Sequence, residues 1–354
     1  MPAFDVAVVG AGPAGCACAL QLARRGHAVL LLHQPARRPQ PGEALPPAAN
    51  RLLRELGMMD RFVSDGHLPC FGNQSAWGSD TLQATDFLSA PDGHGWHIDR
   101  TRFDDMLRTQ ATVAGAVLAG PTTPYEARWL VDCTGRASAV ARSRDIRRRV
   151  YDTLTAFTAL YDAPPPNADP DSLTTIEAVE SGWWYTARLP HGRRLTVYYT
   201  DANSPLASVA RTPSGYDSLL TETHHIAARL RTYHRTGPPV AMAANNSCLE
   251  QIAGRDWLAA GDAATAHDPL SSLGISAALV SGMRAADSID SALAGNPQAV
   301  PRYAEWMHAA FDHYLVQCAR HYAAEQRWPH SPFWSRRSST REPSSPREMA
   351  STLP

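Results

Sequence analysis

The stretch Phe4-Asp-Val-Ala-Val-Val-Gly10-Ala-Gly12-Pro13-Ala14-Gly15, with Cys16 to Gly26 and Ala28 to Leu32 behind it, decides the fold. An apolar run, a glycine-rich turn, a small-residue run of helical character and a second apolar run predict a βαβ unit. G-x-G-x-x-G is a weak signal alone, but here it follows a strand and opens a helix. Gly10 permits the tight turn, Gly12 lets the backbone approach a pyrophosphate, and Gly15 permits close helix packing. Pro13 and Ala14 start a helix whose unpaired N–H groups and positive dipole end face that anion. The acidic residue expected after the second strand is missing. Leu30-Leu31-Leu32 runs into His33 and Gln34, neutral groups that can still hydrogen-bond a ribose.

Working outward, Arg128 to Cys133 and Asp256 to Ala260 are short apolar strands, each ending in a glycine-containing motif, and both are expected in the same sheet. Between them, Tyr151 to Ser247 is rich in β-branched and aromatic residues, as in Leu195-Thr-Val-Tyr-Tyr-Thr200, with a proline-rich loop at 164–170. The expected class is α/β. A Rossmann-like domain of the glutathione reductase type covers 1–150 and 248–295, and an inserted mostly-β substrate domain covers 151–247. Ser214 to Thr232 adds a helix, 296–328 forms a C-terminal helical segment with Val300 to Arg327 amphipathic, and the Ser-, Pro- and Arg-rich residues 329–354 are expected to be a disordered tail.

Composition narrows the chemistry. With 354 residues, 44% hydrophobic and 19% charged, the chain is of globular type. All 33 basic residues are arginine, which removes Schiff-base chemistry and the phosphate-binding lysine of a P-loop. A formal charge of -1 gives no electrostatic case for nucleic acid or a membrane surface. No charged n-region precedes the strand at Phe4, and apolar runs stop short of the ~18 residues of a membrane span, so a cytoplasmic protein is expected. The six cysteines show no C-x-x-C pair and read as reduced packing residues, His224-His225 has no third ligand at metal spacing, and no metal is expected.

Five motifs in order carry a resemblance: Gly10 to Gly15; Gly42-Glu-Ala-Leu-Pro-Pro47; Trp96-His-Ile-Asp-Arg-Thr-Arg-Phe-Asp-Asp-Met-Leu107; Val131-Asp-Cys-Thr-Gly-Arg136; and Gly261-Asp-Ala-Ala264 with Asp268-Pro-Leu-Ser-Ser-Leu-Gly-Ile275. The chain resembles the FAD-dependent monooxygenases of the p-hydroxybenzoate hydroxylase fold, on the branch with flavin-dependent halogenases. The resemblance implies FAD as cofactor. Gly261 and Asp262 would meet the ribityl chain, and Pro269, Gly274 and Ile275 would bring helix amides to the pyrimidine end of the flavin. Glu43 and Ala44 would lie in a loop beside the flavin, and Arg100, with Arg102 as competitor, near the phosphates. Halogenases of this group use a lysine and, for tryptophan, a glutamate. This chain has no lysine, Ser271 stands at the glutamate position, and Trp183-Trp-Tyr-Thr-Ala-Arg-Leu-Pro190 departs from the halogenase Trp-x-Trp-x-Ile-Pro pattern.

Gly72 to Ser79, Gly93 to Arg100, Glu180 to Tyr185 and Asp268 to Ser272 resemble a narrower group, flavoproteins that hydroxylate a tryptophan of a partner polypeptide during maturation of quinone-cofactor enzymes. The implied chemistry is oxygen transfer from a flavin hydroperoxide to an indole-like ring, free or peptide-borne. Trp183, Trp184 and Tyr185 would wall the substrate. His267 would act as a base titrating near neutrality, with Glu43 as the second catalytic candidate. A single G-x-G-x-x-G leaves the electrons to transient NAD(P)H or to a partner flavin reductase. A halogenase or dehydrogenase of the same fold, or a non-catalytic binding module, are the alternatives. The 21 residues from Arg108 to Arg128 leave room for about one strand and a turn, which shortens the adenosine side.

Overall fold

The computed structural model describes residues 3–35, 42–163 and 170–338, and within them the opening stretch folds as its pattern requires. Strand β1 (Ala3–Val9) passes through the glycine turn into α1 (Pro13–Arg24) and β2 (Val29–Leu32). Next come β3 (Glu43–Leu45), α2 (Ala49–Glu55), α3 (Met59–Ser64), β4 (Leu68–Cys70), β5 (Gly72–Ala76), β6 (Gln83–Asp86) and β7 (Gly95–Ile98). They lead to α4 (Arg100–Val113), β8 (Val117–Ala119), β9 (Glu126–Asp132) and α5 (Ala139–Arg142). Strands β10 (Arg148–Val150), β11 (Leu154–Asp162), β12 (Leu173–Val179), β13 (Gly182–Leu189) and β14 (Arg193–Asp201) precede α6 (Pro205–Val209), α7 (Pro213–Leu220) and α8 (His225–Leu230). The chain then forms β15 (His234–Ala243), β16 (Ser247–Leu249), β17 (Trp257–Ala259), β18 (Thr265–Ala266), α9 (Gly274–Leu293), α10 (Ala299–Ala323) and α11 (Pro332–Ser338).

Five parallel strands in the order β17-β9-β1-β2-β8 form the first sheet. Strand β2 is buried at all four positions, as a parallel strand covered on both faces must be. Helix α1 packs closely because its inward residues are small. A Cβ at Gly15 would lie 1.9 Å from the Gly10 carbonyl oxygen, and one at Gly282 of α9 would lie 2.2 Å from that of Ala14. Between α4 and β9 there is the single strand β8, at the edge of the sheet with Val117 and Leu118 exposed.

The second sheet has seven strands, β15-β11-β14-β13-β12-β5-β6, so it extends beyond residues 151–247. Strand β5 pairs in parallel with β12 across about a hundred residues of sequence, and its Gly-Asn-Gln-Ser-Ala composition carries no apolar alternation that would announce it. Helices α6 to α8 cover one face. The helix expected over Ser214 to Thr232 is broken in two: the Glu177 carboxylate of β12 accepts from the N–H groups of His224, His225 and Ile226, which starts α8 as a new helix.

The expectation of a disordered tail from 329 is corrected for 329–338. Residues 332–338 form α11, whose Trp334 is 1% exposed, donates its indole N–H to the Val179 carbonyl at 3.0 Å and packs with Tyr322 and Phe333. Serine and arginine dominate this stretch, but its two aromatic side chains supply the burial that holds it. The rest of the tail, 339–354, and residues 164–169 of the proline-rich loop lie outside the described residues. Among the described residues, no helix is long and apolar enough to cross a membrane.

Candidate functional site

Parallel strands bring the loops that follow them to one edge of the sheet, and the motifs of the sequence converge there. Gly10–Gly15 follows β1, His33 and Gln34 follow β2, Gly135 and Arg136 follow β9, and Gly261 and Asp262 follow β17. Two long helices start at this edge without a side-chain cap: α1 behind Gly12 and α9 behind Leu273. Their first turns contain no acidic residue, so their N–H groups and dipoles remain available to an anionic ligand. A Cβ at Gly12 or Gly274 would meet nothing within 4 Å, whereas Gly10, with φ of 110°, is pressed against the Cys133 carbonyl. The turn is therefore closed on the protein side and open on the ligand side, a fit for a dinucleotide pyrophosphate.

Arg100 begins α4 and is buried, paired with Glu43 of β3 and with Asp104 at 3.3 Å. Glu43 thus lies on a short strand instead of a loop, next to Ala44, with its side chain 44% exposed. Arg102, two residues along the helix, turns away to the Asp65 carbonyl at 2.9 Å. Arg108, which the sequence reading did not single out, lies one further turn along the Arg100–Asp104 face and approaches the Ala11 carbonyl at 3.5 Å. The i, i+4, i+8 spacing of these three charges was the available signal. His33 donates its N–H to the Ala119 carbonyl, while desolvation, with Arg108 nearby, lowers its imidazole; Gln34 is exposed.

Arg136 ends the Val131–Arg136 motif, whose sequence pattern alone gives it no role. Its guanidinium donates to the Asn245 carbonyl at 2.7 Å and the His267 carbonyl at 3.2 Å, and stands 3.6 Å from the Asp262 carboxylate. The protein around Asp262 pushes its carboxyl above the usual range against the opposing pull of Arg136. Pro269 opens a one-turn 3-10 helix that leads into α9, where Ile275 is buried in the core.

Two sequence expectations are corrected. The His267 ring is held edge-on between Tyr314 and Phe311, its Nδ1 has no hydrogen-bond partner, and desolvation with Arg136 nearby lowers its pKa to about 4. It is not a base titrating near neutrality. Trp183 and Trp184 are neighbours on a strand and so point to opposite faces. Trp184 is sealed beneath α6 to α8, stacked on Tyr198 and edge-on to Tyr216, and cannot wall a site on the other face. Trp183 and Tyr185 share the opposite face, which α10 and α11 cover at Trp183. Trp183 stacks on Tyr199 at 3.8 Å between ring centroids, and Tyr185 reaches Thr174 and the Ala44 backbone. Burial raises both tyrosine hydroxyls, and Tyr199 lies in the fields of Tyr185, Asp268 and Glu43. Tyr185 and Tyr199 lie in the field of Glu43, which also acts on Asp262. A separate cavity of about 270 Å³ at Glu177, Glu180, Glu222 and Trp328 shares none of these residues.

All six cysteines are free, and among the described residues no group of three His, Cys, Asp or Glu side chains could hold a metal ion.

The family described as FAD dependent oxidoreductase matches residues 5–42, and the family described as tryptophan halogenase matches residues 121–353. The FAD-dependent oxidoreductase LodB of Marinomonas mediterranea is 28% identical over 95% of this chain and 97% of its own length. The 1H-pyrrole-2-carbonyl-[peptidyl-carrier protein] brominase of Pseudoalteromonas luteoviolacea is 26% identical over 85% of this chain and 80% of its own. Among solved structures, the flavin-dependent halogenase CmlS superposes with a TM-score of 0.82 at 22% identity, over 95% of this chain and 68% of that one. The peptidyl tryptophan dihydroxylase QhpG, essential for tryptophylquinone cofactor biogenesis, superposes with a TM-score of 0.73 at 23% identity, over 95% and 79%.

Proposed function

The chain belongs to the tryptophan halogenase family and is an FAD-dependent oxidoreductase, and from that premise we propose that it is a monooxygenase hydroxylating an indole-like aromatic ring, free or peptide-borne. The observation that carries the choice of oxygen over halogen is the composition: 33 arginines and no lysine. Family halogenation relies on a lysine amine. A guanidinium stays protonated throughout the accessible pH range and cannot replace that amine as a nucleophile. LodB is matched over nearly its whole length, and the peptidyl tryptophan dihydroxylase QhpG is the structural neighbour from which this reading takes its substrate class.

In this account the N-terminus of α1 holds the FAD pyrophosphate, and α9 behind Gly274 faces the pyrimidine end of the flavin. Gly261 and Asp262 meet the ribityl chain, with Arg136 fixing the carboxylate. Arg100 and Arg108 line the phosphate side, and His33 and Gln34 take the ribose. FAD, once bound and reduced, supplies the activation of dioxygen. The protein's share is to exclude water and orient the ring, for which the partly buried Tyr185, near Glu43, is the aromatic side chain on offer, with the buried Trp183–Tyr199 stack supporting the same sheet face. After oxygen addition the ring proton is acidic and needs no strong base. Glu43, paired with Arg100 and partly exposed, takes it in place of His267. A partner flavin reductase or transiently bound NAD(P)H supplies the electrons.

The test is incubation of protein, reduced FAD and indole-containing peptides in bromide buffer, read by mass spectrometry. Gain of one oxygen atom is expected. Gain of bromine would establish the halogenase alternative instead.

A further inference from the structure

Helix α10 turns three side chains toward Asp268, the residue that leads into the loop before α9. They are Tyr314, Cys318 and Tyr322. The Tyr322 hydroxyl donates to Asp268 Oδ2 at 2.7 Å and accepts from the Trp183 indole N–H at 3.0 Å. Asp268 Oδ1 accepts from the Leu270 N–H at 2.9 Å, which caps the turn Pro269–Ser271. The backbone N–H of Asp268 is shared between the Tyr314 hydroxyl at 2.8 Å and Asn246 Oδ1 at 2.9 Å. One phenol therefore bridges strand β13 to the loop that opens α9.

The electrostatics of this carboxylate are unusual for a buried one. Asp268 is 1% exposed and, among the described residues, has no cation in direct contact. The groups that face it are Tyr314, Cys318 and Tyr322 of α10, Tyr199 of β14, Asp152 before β11 and, more remotely, Arg337 of α11, whose guanidinium pairs with Asp201. Hydroxyl and amide donors alone hold the ionised form, and burial raises its pKa to about 6.

We propose that Tyr322 is a positioning residue, a latch whose phenol holds ionised Asp268, and with it the loop at the N-terminus of α9, in register with Trp183 on the substrate-facing sheet. The inference rests on the reading above that α9 faces the flavin. Protonation of Asp268 puts a hydrogen on one oxygen and removes the charge that strengthens the bonds from Tyr322 and Leu270, so the loop is held less firmly and flavin less tightly as pH falls. Removing the Tyr322 donor destabilises the carboxylate and moves that transition to higher pH.

Two readouts test this. The first is infrared titration of the Asp268 carboxyl in flavin-free protein, identified by subtracting the D268N spectrum. The second is the FAD dissociation constant from pH 5 to 8. The wild type should lose affinity several-fold as pH falls through the infrared midpoint near 6. Tyr322→Phe should raise both midpoints together by about one pH unit, as expected for loss of a hydrogen bond to a charged group. Asp268→Asn should flatten the FAD profile in this range. Trp183→Phe, which keeps an aromatic ring on Tyr199 but removes the donor to Tyr322, should shift the midpoints in the same direction by less, and it serves if Tyr322→Phe does not fold. Unchanged midpoints in both variants, or a uniform loss of affinity with the wild-type pH dependence, would overturn the latch. A wild type that binds no FAD at any pH would contradict the proposed function, while the infrared midpoints still decide whether Tyr322 holds Asp268.

Discussion

The two sheets that flank the candidate site are assembled in different ways. The parallel sheet takes β1 and β2 from one βαβ unit, and although β8, β9 and β17 join it from distant segments, the motifs that follow β1, β9 and β17 mark those strands in local sequence. The seven-stranded sheet borrows β5 and β6 from residues 72–86, buries adjacent Trp183 and Trp184 on opposite faces, and is closed on the Trp183 side by α10 and α11 from the far end of the chain. The first is announced by short motifs at the ends of its strands. The second is specified by contacts between distant segments, so substitutions should affect stability and ligand binding differently in the two.

The largest effect on stability is expected in the second sheet. Trp184→Ala should cost about 3–5 kcal/mol, as for other buried large-to-small changes, and lower the thermal midpoint while leaving FAD affinity of the folded fraction unchanged. A loss of FAD affinity at constant fold would place Trp184 in the site after all. Gly15→Val tests the parallel sheet from inside. Its Cβ would lie 1.9 Å from the Gly10 carbonyl oxygen, and overpacking of about 1–3 kcal/mol together with loss of flavin binding is expected in calorimetry and FAD titration.

The next effect depends on pH. The folded-state pKa of His267, lowered to about 4, lies below its ordinary value of 6.5, so the unfolded chain takes up a proton that the folded protein refuses. The protein therefore loses stability as pH falls from about 6.5 toward 4. His267→Gln should remove about 1–2 kcal/mol of that loss at pH 5 and change nothing at pH 8, as read from urea midpoints. An equal shift at both pH values would mean that packing alone accounts for the residue. The smallest stability effect is expected for Gly12→Ala, because a Cβ there meets nothing within 4 Å. FAD affinity should nevertheless fall clearly, since the methyl group faces the ligand. A variant with wild-type affinity would remove the pyrophosphate from this turn.

The same contrast explains what was legible in the sequence. Gly10, Gly12 and Gly15 could be assigned because their roles follow from one turn and one helix, and the strands ending near Asp132 and Ala260 because short apolar runs before glycine motifs leave few other readings. Arg100 was separable from Arg102 only by the face of α4 that turns inward, which spacing does not reveal until a partner such as Glu43 is known. The assignments to Trp184 and His267 failed for a related reason. Which face of β13 is covered by helices depends on α6 to α8, and the desolvation of His267 depends on Phe311 and Tyr314 of α10, more than forty residues away in sequence. Composition misled in the tail, where Phe333 and Trp334 outweigh the surrounding serines and arginines.

The central claim is that a lysine-free chain on this fold transfers oxygen instead of halogen. Reduced-flavin protein, an indole-containing peptide and bromide under isotope-labelled dioxygen, followed by mass spectrometry of the product, test it most directly. The account predicts one labelled oxygen atom on the ring and no bromine. A brominated ring, or an added oxygen atom that lacks the dioxygen label, would contradict it.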